Sequence, residues 1–221
     1  MLMLARHVYD AVSLLKGGGN RFSEAGDYLK MYEAMTGLEL YGRTVGIVGF
    51  GAIGQRVAKR VLAFGARALA FDPYQKDEVF SRFGTARGDL DQVMREADFL
   101  TIHAPDAAET KGMIGERELG LMKDGAYFLN LARAAVVEEE PLYQSVSSGR
   151  IRAAAFDVFW NEPVQPDDRF VKLPNVIATP HIGGATVDVV RHQGEMMCET
   201  IEAYLRGERP PYIANPKVLK G

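Results

Sequence analysis

Cysteine is nearly absent from this sequence of 221 residues, in which Cys198 is the only one. A single cysteine cannot close a disulfide within the chain, so the fold does not depend on oxidation for its stability. This excludes a disulfide-stapled secreted scaffold, and we expect a cytoplasmic protein. We also predict no metal ligands.

The sequence also lacks a large charge of either sign. It contains 26 lysines and arginines against 29 aspartates and glutamates, which gives a net charge of −3 and a pI of about 5.9. A chain of this kind has no basic surface to attract nucleic acid or an anionic membrane. We therefore expect neither as a partner.

Long apolar runs are missing as well. The most apolar stretch is "MLMLARHVYDAVSLL" at residues 1–15, where Arg6, His7 and Asp10 interrupt the run. It is too polar for a membrane span and has no small-residue cleavage site of a signal peptide. Its apolar positions instead predict one amphipathic helix, which Gly17, Gly18 and Gly19 would end.

From residue 43 onward, short apolar runs alternate with helical patterns. Runs that are apolar throughout are typical of strands covered on both faces, as in a parallel sheet with crossover helices. The sequence therefore predicts an α/β fold with a doubly wound parallel sheet. The predicted strands are residues 44–49, 67–72, 98–104, 126–132, 151–159 and 175–180, and the predicted helices are 52–64, 76–83, 116–122 and 138–147.

Two segments flank this alternating region. Residues 17–42 form a glycine-rich and aromatic stretch, for which a flexible surface linker is one interpretation. Residues 185–205 predict a closing helix, and Pro210 and Pro211 keep the tail after it extended. The predicted organisation is an N-terminal helix and arm at 1–42, the α/β domain at 43–184, and a C-terminal helix and tail at 185–221.

The first predicted strand ends in a glycine pattern, G-x-G-x-x-G, formed by Gly49, Gly51 and Gly54. Such glycines permit a tight turn, the close approach of a pyrophosphate, and tight packing of helix on strand. The backbone amides of Ala52 and Ile53 would point at phosphate from a helix N-terminus. Together with the strand and the helix, this pattern predicts a Rossmann dinucleotide site.

An acidic residue at the end of the second strand completes this fingerprint. Asp72 lies about 20 residues after the glycines, at the distance the fingerprint requires. Its carboxylate can accept hydrogen bonds from the adenosine ribose and would repel a 2′-phosphate, so NAD is favoured over NADP. In the alternative interpretation, Asp72 only caps the turn before Pro73.

Three later side chains suggest the chemistry: Arg133, Glu162 and His181. Each alone has an ordinary structural explanation, such as a surface arginine or a histidine at a strand end. Together they could serve reduction of a 2-keto acid, because arginine holds a carboxylate in a bidentate pair. Histidine can donate a proton near neutral pH, and a neighbouring carboxylate favours its charged form.

These stretches, in this order, resemble the NAD-dependent D-2-hydroxyacid dehydrogenases. The resemblance rests on "GRTVGIVGFGAIGQRVAKR", "FDPY", "TIHAPDAAETKGMIG", "LNLARAAVV", "AAFDVFWNEP" and "TPHIGGAT". It implies hydride transfer between NAD(H) and a small D-2-hydroxy or 2-keto acid. The implied catalytic residues are Arg133, Glu162 and His181.

The resemblance also implies further cofactor contacts and a dimer. Asp157 matches the family's nicotinamide-amide aspartate, and His103 and Thr110 fall at family positions near the cofactor. Ala132, next to Arg133, is included among the predicted cofactor contacts. In the family, the first helix and the arm cross to a second subunit, so we expect a homodimer.

Two departures from the family pattern affect the interpretation. Ala134 stands where the family commonly has glycine, which matters if that position requires a positive φ. The family also carries a substrate domain of roughly a hundred residues ahead of the first helix, with no counterpart here. We therefore expect either the cofactor-binding part of a larger enzyme or a non-catalytic, NAD-binding, dimerising module. A methyltransferase on the same glycine motif would leave Arg133, Glu162 and His181 unexplained.

Overall fold

A computed structural model of the chain describes residues 1–16 and 25–213. The chain divides into two compact units, Met1–His181 and Ile182–Gly221. The predicted helix stop at Gly17, Gly18 and Gly19 and the end of the predicted tail, residues 214–221, lie outside the described residues.

The first unit is built on a parallel sheet of seven strands in the order β3-β2-β1-β4-β5-β6-β7. The chain adds strands outward from β1 to β3 and then returns to place β4 on the other side of β1. The predicted doubly wound fold is confirmed. The strands are β1 (Thr44–Val48), β2 (Arg67–Phe71), β3 (Ala86–Arg87), β4 (Phe99–Ile102), β5 (Ala126–Asn130), β6 (Ile151–Phe156) and β7 (Val176–Ala178).

Helices precede the sheet and connect its strands. At the N-terminus lie α1 (Leu2–Ala5), α2 (Val8–Lys16) and α3 (Ala25–Ala34). The connecting helices are α4 (Ala52–Ala63), α5 (Asp77–Arg82), α6 (Leu90–Glu96), α7 (Glu116–Leu121) and α8 (Glu139–Ser147), with a short 3-10 turn at Ala134–Val136.

The central strands are apolar throughout because both faces of the sheet are covered. Successive residues of a strand point to opposite faces. Tyr127 and Phe99 stack in one core cluster, whereas their neighbours Phe128 and Leu100 belong to the other. All nine residues of β4 and β5 are buried. This rigid centre fixes the strand ends that carry the candidate site.

The single amphipathic helix predicted for residues 1–15 is wrong. The structure has two helices, α1 and α2, separated at His7, whose φ is +50°. The Leu38 amide donates to the Ala5 carbonyl at 2.7 Å. That carbonyl is therefore engaged by tertiary structure rather than by the next helical turn, and α1 ends there.

The second unit consists mainly of α9 (Val187–Leu205). Thr186 caps this helix, since its side-chain oxygen accepts the Val189 amide at 3.2 Å. Within the described ranges, we find no helix with the length and apolar character needed to cross a bilayer.

Candidate active site

The glycine turn between β1 and α4 is packed too tightly for side chains at two of its positions. Gly49 has φ +90°, and a Cβ there would lie 2.6 Å from the Ala104 nitrogen. A Cβ on Gly54 would lie 2.2 Å from the Gly49 carbonyl oxygen. Glycine at position 54 therefore lets α4 pack directly on the end of β1, and glycine at position 49 lets the turn approach the backbone that follows β4.

Gly51 differs, because a Cβ there would meet nothing within 4 Å. It is the N-cap of α4 and provides no side-chain cap. The first amides of any helix have no intrahelical partner, so those of Ala52 and Ile53 face this open space. An uncapped helix start with a bare glycine in front of it suits an anionic group such as a pyrophosphate.

Asp72 follows β2 and is held by backbone amides on both sides. Phe50 N–H donates to its Oδ2 at 2.7 Å, and Tyr74 N–H donates to its Oδ1 at 2.9 Å. Asp72 thus caps its own turn and also ties the glycine turn to β2. It lines a cleft of about 230 Å³ together with Gly49, Ala104, Thr110 and other residues of the two flanking loops.

His103 and Thr110 belong to the loop that follows β4. His103 Nε2 lies 3.1 Å from Thr101 Oγ1, and burial lowers the pKa of His103 from 6.5 to about 4. The imidazole is therefore neutral at physiological pH. The Thr110 hydroxyl lies 2.7 Å from the Pro105 carbonyl and accepts the Ala107 amide at 3.0 Å, which shapes the loop that borders the cleft.

The Arg133 loop is held by Asn130, which the sequence analysis did not single out. This side chain is 1% exposed, and its amide nitrogen donates to the Arg133 carbonyl at 2.9 Å. Its oxygen accepts the Ala132 amide at 3.1 Å. The sequence signal for this role was an asparagine at the end of an apolar run. If such a residue is buried, its side-chain amide needs hydrogen-bond partners.

Arg133 itself is exposed, and its Nη1 donates to the Ala132 carbonyl at 2.7 Å. No other hydrogen bond or ion pair of its side chain occurs among the described residues, which leaves most guanidinium donors available. Ala134 begins the 3-10 turn that follows. It is not among the non-glycine residues with positive φ, so alanine fits this position without strain.

Glu162 and His181 form a hydrogen-bonded pair. His181 Nδ1 lies 2.8 Å from Glu162 Oε2, and the Phe159 amide donates to Glu162 Oε1 at 3.0 Å. The hydrogen bond from His181 holds the pKa of Glu162 below its ordinary value, and the charge of Arg133 contributes to this. Arg133 is thus close enough to act electrostatically on the pair.

The backbone of His181 is strained. Its φ of +55° lies in the left-handed region, which non-glycine residues rarely adopt. Strained conformations of this kind cluster at active sites and ligand clamps. The pair also borders a cavity of about 330 Å³ with Phe159, Pro163 and Pro180.

Asp157 follows β6 and is 3% exposed. The Thr179 hydroxyl donates to its Oδ1 at 2.5 Å from the end of the neighbouring strand β7. Thr179 is a second side chain that the sequence analysis missed. Its pairing with Asp157 depends on strand order, which a linear pattern does not reveal.

The predicted site residues thus lie along the carboxyl edge of one parallel sheet. Gly49, Asp72 and His103 follow β1, β2 and β4, beside the switch point where such sheets bind ligands. Arg133, Asp157 and His181 follow β5, β6 and β7 farther along the same edge. In the described part of the chain, no group of three or more His, Cys, Asp or Glu residues could hold a metal ion.

The chain matches a known protein family. The family model described as D-isomer specific 2-hydroxyacid dehydrogenase, NAD binding domain, matches residues 1–183. The chain is 37% identical to a glyoxylate reductase of Korarchaeum cryptofilum, over 95% of this chain and 66% of that protein. It is 38% identical to a D-3-phosphoglycerate dehydrogenase of Methanocaldococcus jannaschii, over 97% of this chain and 39% of that protein.

The fold comparison gives the same result. A crystal structure of a Thermus thermophilus protein superposes with a TM-score of 0.77 and 34% identity, covering 95% of this chain and 63% of that one. The chain therefore spans two thirds or less of the length of these relatives. It belongs to the D-isomer specific 2-hydroxyacid dehydrogenase family and corresponds to its NAD-binding domain.

Proposed function

We propose that this chain supplies the cofactor-binding part of an oxidoreductase that transfers a hydride between NAD(H) and a small D-2-hydroxy or 2-keto acid. The observation that carries the proposal is the 2.8 Å contact between His181 Nδ1 and Glu162 Oε2, with the charge of Arg133 acting on the same carboxylate. An NAD-binding domain needs none of these three side chains for cofactor binding alone.

The glycine turn and Asp72 fit the cofactor. The open space before Gly51 and the uncapped start of α4 accept the pyrophosphate, while Asp72 accepts the ribose hydroxyls. Asp157, held by Thr179, receives the nicotinamide amide, and His103, Thr110 and Ala132 border the cofactor. When bound, NAD(H) supplies or accepts the hydride.

His181 acts as the proton donor in the reductive direction. Its Nδ1 is engaged by Glu162, so Nε2 is the ring nitrogen that faces the substrate oxygen. Glu162 orients the ring and places a negative charge beside it, and His181 gives its proton to the oxygen of the reduced carbonyl. In the oxidative direction, neutral His181 takes the proton from the substrate hydroxyl.

Arg133 holds the substrate carboxylate. The guanidinium is a planar fork that matches a carboxylate bidentately. The two hydrogen bonds that Asn130 makes to the loop aim this side chain from the end of β5. Because Arg133 attracts the substrate carboxylate, it also orients the keto group of the substrate toward His181.

We further propose that the protein is a homodimer in the cytoplasm. Helix α2 has no buried residue, and several of its apolar side chains are exposed, among them Val12 and Leu15. Helix α3 likewise exposes Tyr28, Leu29 and Tyr32. A second subunit would cover these side chains, and the exposed thiol of Cys198 suits a reducing compartment.

The test is NADH oxidation with glyoxylate, hydroxypyruvate and pyruvate, measured beside NADH binding by fluorescence. We expect saturable NADH binding and consumption of NADH with at least one of the three acids. NADH binding without turnover on any of them would favour a non-catalytic, dimerising module instead.

A further inference from the structure

The cleft at Asp72 is bordered by a second carboxylate, that of Glu109. No lysine, arginine or histidine is among the described residues that line it. We propose that Glu109 is a specificity-determining residue, which acts with Asp72 to reject dinucleotides that carry a 2′-phosphate. The inference rests on the proposed cofactor site and extends it to a residue that the glycine and aspartate fingerprint does not include.

Tyr74 links the two carboxylates across the cleft. Its backbone N–H donates to Asp72 Oδ1 at 2.9 Å, and its hydroxyl lies 3.4 Å from Glu109 Oε1. The Glu109 carboxylate therefore lies within reach of a residue whose backbone is bonded to Asp72.

The loop that carries Glu109 is also fixed in place. Its next residue, Thr110, is 8% exposed and is bonded to the Pro105 carbonyl and the Ala107 amide. Glu109 is therefore presented from a braced loop although its own side chain is exposed.

The charges that line the cleft determine whether Glu109 favours or disfavours the binding of NADPH. A phosphate monoester carries a charge of about −1.5 to −2 at neutral pH. Near Asp72 it would meet two carboxylates. Lys76 and Lys111 flank the two loops but are not among the residues that line the cleft. NADH, with two free ribose hydroxyls, avoids this repulsion.

The size of the effect is limited by solvent. Interactions between exposed charges change affinity by only about two- to fivefold, and salt screens them. Glu109 is therefore expected to refine a preference that Asp72 sets. Because NADH and NADPH share the pyrophosphate and differ only in the 2′-phosphate, the effect should be specific to NADPH.

The experiment compares Glu109→Gln with the unmodified chain by fluorescence titration of NADH and NADPH. We expect NADPH binding to tighten about two- to fivefold at low salt, with NADH affinity unchanged and the gain shrinking as salt is added. Glu116→Gln is the matched control, since Glu116 is exposed, begins α7 and does not line the cleft. It should change neither affinity.

A second variant separates the two carboxylates. Asp72→Ala alone should weaken NADH binding and reduce the preference for NADH over NADPH. Adding Glu109→Gln should reduce that preference further. Unchanged NADPH affinity in Glu109→Gln, while NADH still binds, would overturn this inference alone. An equal tightening of NADPH binding in Glu116→Gln would overturn it too, because the net charge of the protein would then explain the gain in affinity. Failure of the unmodified chain to bind NADH would overturn the cofactor site and this inference together.

Discussion

Asn130 and Thr179 hold the residues on which the proposed chemistry depends. Asn130 fixes the loop of Arg133 through two hydrogen bonds, and Thr179 fixes Asp157 through one. Asn130 lies at the end of β5, which is buried throughout, and Thr179 follows β7, which is partly buried. The strand ends thus set the site geometry, while Arg133 and His181 remain exposed to substrate.

Replacing Arg133 tests the proposed clamp for the substrate carboxylate. Arg133→Ala should raise KM for the keto acid and also lower kcat, because orientation is lost together with binding. A charge-assisted contact of this kind contributes about 1.5–3 kcal/mol. Arg133→Lys should recover only part of it, since a lysine cannot form the bidentate pair. Steady-state kinetics of both variants measure this, and an unchanged KM in Arg133→Ala would contradict the assignment.

Replacing Glu162 tests the pair of His181 and Glu162 through the pH dependence of keto-acid reduction. The hydrogen bond with His181 lowers the pKa of Glu162, so the pair keeps a negative charge down to acidic pH. Glu162→Gln keeps a hydrogen-bonding side chain and removes the charge. Without this charge beside the proton donor, the rate of keto-acid reduction should fall off at more acidic pH than in the unmodified protein.

Initial rates of reduction between about pH 5 and 9 give this profile, since an unperturbed histidine titrates near the middle of that range. Glu138→Gln is a suitable control, because Glu138 is an exposed carboxylate outside the pair. A profile that stays in place in Glu162→Gln means that Glu162 does not set the charge of His181.

Helices α2 and α3 are the secondary-structure elements whose apolar faces most need a further partner. Their apolar side chains are exposed, whereas Leu4 and Ala5 of α1 belong to the core. Deleting residues 1–36 would remove the core contacts of α1 together with the exposed faces of α2 and α3. Point substitutions on α2 are therefore the cleaner test. Val12→Glu combined with Leu15→Glu should convert a dimer into a monomer, because each change places a charge in the interface.

Light scattering at micromolar concentration measures this, with circular dichroism to verify the fold. Ser13→Glu, at an exposed polar position of the same helix, should remain dimeric. An unmodified chain that is monomeric at micromolar concentration would show that the exposed faces of α2 and α3 do not associate.

The strands and helices around the sheet show what the sequence could predict. Strands β1, β2, β4, β5, β6 and β7 were predicted within a few residues because uninterrupted apolar runs mark buried strands. Strand β3 has only two residues, both exposed, and α6 has only seven, so neither shows a sustained apolar pattern. Helix α3 lies in the stretch interpreted as an arm or linker, where glycines and aromatics obscured its periodicity.

At the scale of the whole molecule, parallel strands bring distant parts of the chain to one edge. Residues from Gly49 to His181 reach this edge because every one of the seven strands runs in the same direction. In the sequence, Gly49, Asp72, His103, Arg133, Asp157 and His181 each lie at or just after an apolar run that predicts a strand, which is the signal for this common edge. The contact of His181 with Glu162 and the +55° φ of His181 arise only from the folded loops.

The role of His181 as proton donor is tested most directly by the turnover of His181→Ala, measured beside its NADH affinity. We expect unchanged NADH binding and a fall in kcat for keto-acid reduction of about 10²–10⁴-fold, the usual contribution of general acid–base catalysis. The proton is needed only when the substrate oxygen gains charge, so KM should change little. A His181→Ala variant that binds NADH and reduces the keto acid at the unmodified rate would contradict this role.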